Sequence, residues 1–293
     1  MKDFGLLLVD KPVGPTSHHI VHRVRLGSGV RKVGHAGTLD PRASGLLVLC
    51  LGPATRLSEY ISIASKRYEA VVRFGASTRS FDSDGEVVSR SSDIPTREQI
   101  EAALPSFTGE ISQVPPPFSA LKVSGQRAYD LARAGKDVDL EPRLITIYAL
   151  RLQEYQPPDL ALEVECSAGT YIRSLAHDLG ACLGCGGYLA ALRRTKAGPF
   201  SLEQAVSTEK LERAFQDGTW REHLRPASEA LPGFAHVSLT PEQVDRVQRG
   251  HRIPAGEASS GMACGLDPAG GLVAVLQAVE GGAEWQPHKV FLE

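Results

Sequence analysis

The stretch Gly34-His35-Ala36-Gly37-Thr38-Leu39-Asp40-Pro41 leads into Leu46-Leu47-Val48-Leu49-Cys50-Leu51, and together they set one carboxylate at the mouth of an apolar run. The proline ring disfavours the α region for the residue before it, which predicts an extended Asp40. Gly34 and Gly37 permit backbone angles and close approaches that other residues resist. A short uninterrupted apolar run reads as a buried strand. Asp is common in turns because its side chain bonds nearby backbone, so residue type alone leaves Asp40 either a turn former or a reactive group.

Working outward, Ser17 is placed to cap a helix whose apolar positions Ile20, Val21 and Val24 recur at helical spacing. Residues 68–74 and 160–166 read as strands, and residues 96–104 and 128–134 as helices. Ile172, Leu175, Ala176 and Leu179 form one helical stripe, expected to end at Gly180. Strands and helices alternate without a strict βαβ rhythm, so an α+β domain with a mixed sheet is expected, not a doubly wound one. A break falls at residues 226–234. Beyond it, strands near 237–239, 262–266, 272–277 and 289–292, with a helix starting at Pro241, predict a small β-rich module. The expected division is therefore 1–230 and 231–293.

A chain of 293 residues with 42% hydrophobic and 23% charged content is ordinary for a globular protein with a sizeable core. The uncharged stretch near Asp40 is broken by Gly and Pro and is too short for a bilayer span. Lys2, Asp3 and Asp10 surround only a few apolar residues, unlike a signal peptide, so a cytoplasmic protein is expected. Five cysteines, an odd number, suit a reducing compartment.

Net charge is −2, but the charges segregate. No acid lies between Asp10 and Asp40, where Lys11, Arg23, Arg25, Arg31 and Lys32 fall with His18, His19, His22 and His35. Arg193, Arg194 and Lys196 form a second cluster, and Arg246, Arg249 and Arg252 a third. Such clusters are either solvated faces or local fields for phosphates.

Motifs for other chemistries fail on their own terms. Cys182-Leu183-Gly184-Cys185 lacks the further ligands of a zinc site, and reads as incidental thiols at a helix end. His18 and His22 lie one turn apart but lack the glutamate of HExxH and a third ligand. Asp82-Ser83-Asp84-Gly85-Glu86 resembles a calcium loop until position six, where Val87 stands in place of the required glycine. It reads instead as an ordered acidic loop beside a substrate. No P-loop or dinucleotide fingerprint is present.

The run from Lys32 to Leu57 closely resembles the signature of the TruB family of tRNA pseudouridine synthases. Lys11-Pro12-Val13-Gly14-Pro15-Thr16-Ser17 and Lys66-Arg67-Tyr68 are similar to two further motifs of that family. So are residues 113–135 (QVPPPFSALKVSGQRAYDLARAG), residues 166–180 (CSAGTYIRSLAHDLG) and residues 189–195 (LAALRRT). The series covers most of the first 230 residues in order. Ala36, Phe118 and Ala168 depart from a frequent Thr, Tyr and Lys.

The resemblance implies a pseudouridine synthase fold, with a largely antiparallel central sheet flanked by helices and a C-terminal PUA-like RNA-binding module. It implies isomerisation of uridine 55 in the tRNA T loop, without metal or cofactor, since the reaction needs neither redox change nor net energy. Carried over residue by residue, it makes Asp40 the nucleophile and Arg173 its ion-pair partner. A carboxylate, ionised at neutral pH with an ordinary pKa of about 3.9, needs orientation more than a base. Tyr68 would stack on the target base and assist proton removal, Tyr171 and Leu192 would wall the pocket, and Lys11 would contribute to substrate binding. His35 would fill the space left by the flipped nucleotide. The implied partner is the T-stem loop of tRNA, bound by a monomer. A glycosidase would need a second carboxylate paired with Asp40, and none is evident.

Overall fold

Residues Asp159–Cys166 alternate strictly between half-buried and buried, as a strand does when only one face meets a core. The computed structural model describes residues 3–291 except 120, 124, 135–138, 257 and 258. Lys2, the motif residues Ala120, Ser124 and Gly135, and Leu292 of the last expected strand lie outside the described residues. The chain forms two compact units. One is Met1–Pro41, Leu46–Ser62 and Pro199–Glu293; the other is Arg42–Gly45 and Ile63–Gly198.

In the second unit, Asp159–Cys166 pairs antiparallel with Lys66–Phe74 on one side and Arg143–Gln156 on the other. Gly187–Ala197 pairs antiparallel with the free side of Lys66–Phe74. Its Leu192, Arg193 and Arg194 run parallel to Ala43, Ser44 and Gly45. Gly109–Gln113 closes the far edge, antiparallel to Arg143–Gln156. The sheet is mixed and largely antiparallel, and the unit is α+β as expected. One sheet face presents Ala70, Val72, Phe74, Leu162, Val164 and Leu189, and the helix Ile172–Cys182 lays Ile172, Leu175, Ala176 and Leu179 on it. Each of the larger side chains taken from water is worth about 1.5–3 kcal/mol, so the stripe fixes the roll of the helix. It thereby fixes the direction of Arg173. The helix runs past its expected end at Gly180. A Cβ there would lie 2.1 Å from the Gly187 nitrogen, so this glycine serves close packing and not helix termination.

In the first unit, Gly5–Lys11 pairs parallel with Val206–Ser207, and Val33–His35 pairs antiparallel with Leu49 to Leu51. The helix Ser17–Ser28 buries Ile20, Val21 and Val24, as their spacing predicts. Its N-cap, however, is Thr16, whose hydroxyl accepts from the His19 amide at 3.0 Å. Ser17 is not the cap because its hydroxyl is engaged elsewhere. Further along, Ala235–Ser238, Met262–Leu266, Leu272–Ala278, Glu284–Val290 and Ile253–Pro254 form a separate five-stranded sheet in that spatial order. The helix Pro241–Gln248, opened by a Thr240 capping box, adds Val247 to a core containing Leu239, Leu276 and Trp285. The last strand starts well before residue 289, because Trp285 is buried among polar neighbours that hide the alternation. Among the described residues no helix is long and apolar enough to cross a membrane.

Candidate active site

One neighbouring segment, residues 14–17, holds the Asp40 turn on both sides. The Ser17 hydroxyl accepts from the Leu39 amide at 2.8 Å and donates to the Leu39 carbonyl at 2.9 Å. On the other side of Asp40, the Gly14 amide donates to the Pro41 carbonyl at 2.8 Å. Gly37, at φ +108, makes the preceding bend, and Leu39 is buried. None of these bonds uses the Asp40 side chain, which sits half-buried.

The segment that grips the turn is itself braced. Lys11 is fully buried, and its ammonium donates to the carbonyls of Pro12 at 2.8 Å and Pro15 at 2.9 Å. A buried charge is tolerable only with such bonds. In this structure Lys11 acts on the turn through the loop it pins. His35 lies half-buried on Val33–His35, opposite Leu49.

In the second unit, Arg173 stands in the first turn of the helix Ile172–Cys182 and is 7% exposed. Its guanidinium donates to the Phe118 carbonyl at 3.0 Å and the Ser80 carbonyl at 3.3 Å, and lies 3.6 Å from the Asp82 carboxylate. Asp82 also accepts from the Ser80 hydroxyl and, at 3.1 Å, from the Asp84 amide. Asp84 in turn pairs with Arg42. The helix start is fixed by Gln113, whose carboxamide accepts from the Tyr171 amide at 2.9 Å and donates to the Tyr171 carbonyl at 3.1 Å. Ser174 donates to the Val114 carbonyl at 2.7 Å. Gln113, Val114 and Phe118 belong to one sequence motif, which therefore serves as the seat of the Arg173 helix.

Tyr68 and Leu192 pack on the same core cluster as Ile172. Register places Leu192 between Ala70 and Ala43, and Arg194 between Tyr68 and Gly45. The second unit thus brings Tyr68 and Leu192 onto the core on which the Arg173 helix is laid. Beside Tyr68, Lys66 donates to the Ala64 carbonyl at 2.6 Å. Burial, and then the neighbouring Arg194, push its pKa down to about 8.

Arg194 is 1% exposed, which removes it from the expected surface cluster of Arg193, Arg194 and Lys196. A strand position facing the interior holds it. In the third cluster Arg249 pairs with Asp245 at 2.9 Å and Arg252 with Glu284 at 3.5 Å, so part of that charge is locally compensated. Cys182 is exposed at the helix end and Cys185 is buried, with its thiol 3.3 Å from the Gly186 carbonyl. Among the described residues no three His, Cys, Asp or Glu side chains converge on a metal-sized site. An open cavity of about 450 Å³ lies between Ile20, Val24, Leu211 and Phe215, and none of the expected site residues lines it.

Residues 25–172 match the model of the TruB family pseudouridylate synthase N-terminal domain. The chain belongs to this family. Residues 173–232 match the tRNA pseudouridylate synthase B C-terminal domain, so the TruB matches run from before the Asp40 turn to beyond Leu192. The chain is 42% identical over 290 residues to tRNA pseudouridine synthase B of Ruegeria pomeroyi, covering 98% of this chain and 95% of that one. It is 44% identical over 302 residues to the enzyme of the same name from Arthrobacter sp., covering 98% and 96%. Among solved structures, the chain resembles one in a Cbf5-Nop10-Gar1 complex, with TM-score 0.75, 28% identity, and 99% and 86% coverage. It also resembles one in an H/ACA RNP bound to a substrate RNA containing 2′-deoxyuridine, with TM-score 0.74, 26% identity, and 99% and 86% coverage. The fold is that of a pseudouridine synthase.

Three residues that hold the candidate site together escape a reading by motif alone. Ser17 and Gln113 lie inside quoted motifs, but their bonding roles depend on residues 22 and 58 positions away. Asp82 sits in the acidic loop, and its tie to Arg173 is a contact across the fold.

Proposed function

We propose that the chain converts uridine 55 in the tRNA T loop to pseudouridine, with Asp40 as the nucleophile on an everted nucleotide. The observation that carries this reading is the Asp40 turn. Within a TruB signature, both residues flanking the carboxylate are fastened through main-chain groups, which supports presentation to a substrate over a turn-forming role. The bond from ribose to uracil N1 breaks and one to C5 forms; C5 loses its hydrogen as a proton and N1 gains one.

In this reading Arg173 pairs with Asp40 and keeps the carboxylate charged and aimed. Tyr68 stacks on the base and assists proton removal at C5. Tyr171 and Leu192 wall the pocket that retains the detached uracil while it turns. His35 occupies the vacated stack, offsetting a flipping cost of a few kcal/mol. Lys11 serves through the loop it pins. Residues 231–293 act as a PUA-like RNA-binding module, supported by their separate sheet and core. The route uses no cofactor, and the enzyme works as a monomer in the cytoplasm.

Release of tritium from C5-labelled uridine in a tRNA transcript tests the reading. Wild type is expected to release one equivalent per tRNA. Asp40→Asn is expected to bind the same transcript and release none. A wild type that binds tRNA without releasing tritium, or that liberates free uracil, defeats the proposal.

A further inference from the structure

The acidic turn carries a backbone strain that the proposed chemistry leaves unexplained. Phe81 sits at φ +64, a left-handed conformation that bulky side chains rarely adopt. Such a conformation persists only where the surroundings impose it. Two contacts do so. The Leu189 amide donates to the Phe81 carbonyl at 2.9 Å. The Phe81 ring lies flat on the His177 imidazole, with centroids 3.8 Å apart and planes within 10°.

His177 follows Arg173 by one helical turn on the same face. Arg173 holds the residues on either side of Phe81, reaching the Ser80 carbonyl at 3.3 Å and the Asp82 carboxylate at 3.6 Å. One helix therefore grips three consecutive residues of the turn, by charge at the flanks and by stacking at the centre. Burial favours the neutral imidazole, and among the described residues its Nδ1 has no hydrogen-bond partner. The ring is suited to packing and not to proton transfer.

We infer that His177 is a positioning residue, whose stack on Phe81 locks the strained turn and keeps Asp82 against the Arg173 guanidinium. Without the ring, Phe81 relaxes to an ordinary φ, the following peptide rotates, and Asp82 is withdrawn. The effect on rate rests on the pseudouridine synthase reading; the lock itself does not.

Amide hydrogen exchange at Leu189 tests the lock, measured beside single-turnover tritium release from uridine-labelled tRNA transcript. An aromatic pair is worth about tenfold in an equilibrium, so His177→Ala is expected to speed Leu189 exchange and slow tritium release about tenfold each, with tRNA affinity unchanged. His177→Phe retains a flat ring and is expected to restore both to within about threefold. Phe81→Ala keeps the Cβ that resists the left-handed backbone but removes the other ring. It is expected to slow release as much as His177→Ala, with the double variant no slower than either. Should His177→Ala not fold, Phe81→Ala carries the same exchange measurement. Unchanged Leu189 exchange, or losses that multiply in the double variant, overturns the lock. A wild type that releases no tritium overturns the functional reading instead, and Leu189 exchange still decides the lock.

Discussion

Two short turns each present an aspartate, one ahead of a strand and one inside a hairpin loop, and they are held by different means. Around Asp40 the grip is on main-chain atoms, from Ser17 to Leu39 and from Gly14 to Pro41. Around Asp82 the grip is on the carboxylate itself, from Arg173, the Ser80 hydroxyl and the Asp84 amide. A carboxylate spent on local bonds organises its surroundings. A turn fixed by backbone bonds holds its carboxylate in place without relying on that side chain. In the proposed reaction Asp40 is the nucleophile, while Asp82 braces the Arg173 guanidinium.

The sharpest way to break this contrast is to neutralise each acid. Asp40→Asn removes the proposed nucleophile, and tritium release should fall by about 10⁴-fold or more while tRNA binding stays within about twofold. Asp82→Asn should leave chemistry possible but the guanidinium loose, costing about 10²-fold in single-turnover rate. Equal losses for the two variants would erase the distinction.

A smaller effect probes the backbone grip. Ser17→Ala leaves the buried Leu39 amide and carbonyl without their hydroxyl, a cost of about 1–3 kcal/mol in stability by thermal or urea unfolding. The freed turn should also lower the rate about tenfold with little change in tRNA affinity, since misplacement by ångströms is costly in a rigid site. A Ser17→Ala enzyme with wild-type rate would mean that the turn needs no clamp.

The sequence carried the Asp40 side of this contrast better than the Asp82 side, for physical reasons. Glycines, a proline and an apolar run are local signals, so the turn and the strand Ala43–Leu51 were readable in one window. The strand Gly187–Ala197 was not, because Arg193, Arg194 and Lys196 look like a solvated face while Arg194 is buried. The long strand Arg143–Gln156 hid for another reason: two shifts in its register with Asp159–Cys166 break the alternation. Roles that depend on distant partners, such as Asp82 with Arg173 or Ser17 with Leu39, leave no periodic trace. The motif resemblance located Ser17, Leu39 and Arg173 without revealing what they bond, and it did not reach Asp82.

Asp178 supplies the smallest and most discriminating test of the rule that a useful carboxylate must be held. It sits half-buried on the Arg173 helix, and burial pushes its pKa up to about 6. The folded state thus binds the proton more tightly than the unfolded chain, whose carboxyl titrates near about 3.9. Stability contributed by this group is therefore lost as pH rises through about 6 and regained as pH falls from about 6 toward about 4. Partial exposure screens the penalty to about 1 kcal/mol at neutral pH. Asp178→Asn should unfold about 2–4 °C higher than wild type at pH 7.5, and the gap should narrow to about a third of that near pH 4.5 and close below about pH 3.5. A gap that persists at low pH would trace the gain to packing, and a variant less stable at pH 7.5 would show that Asp178 is braced as firmly as Asp82.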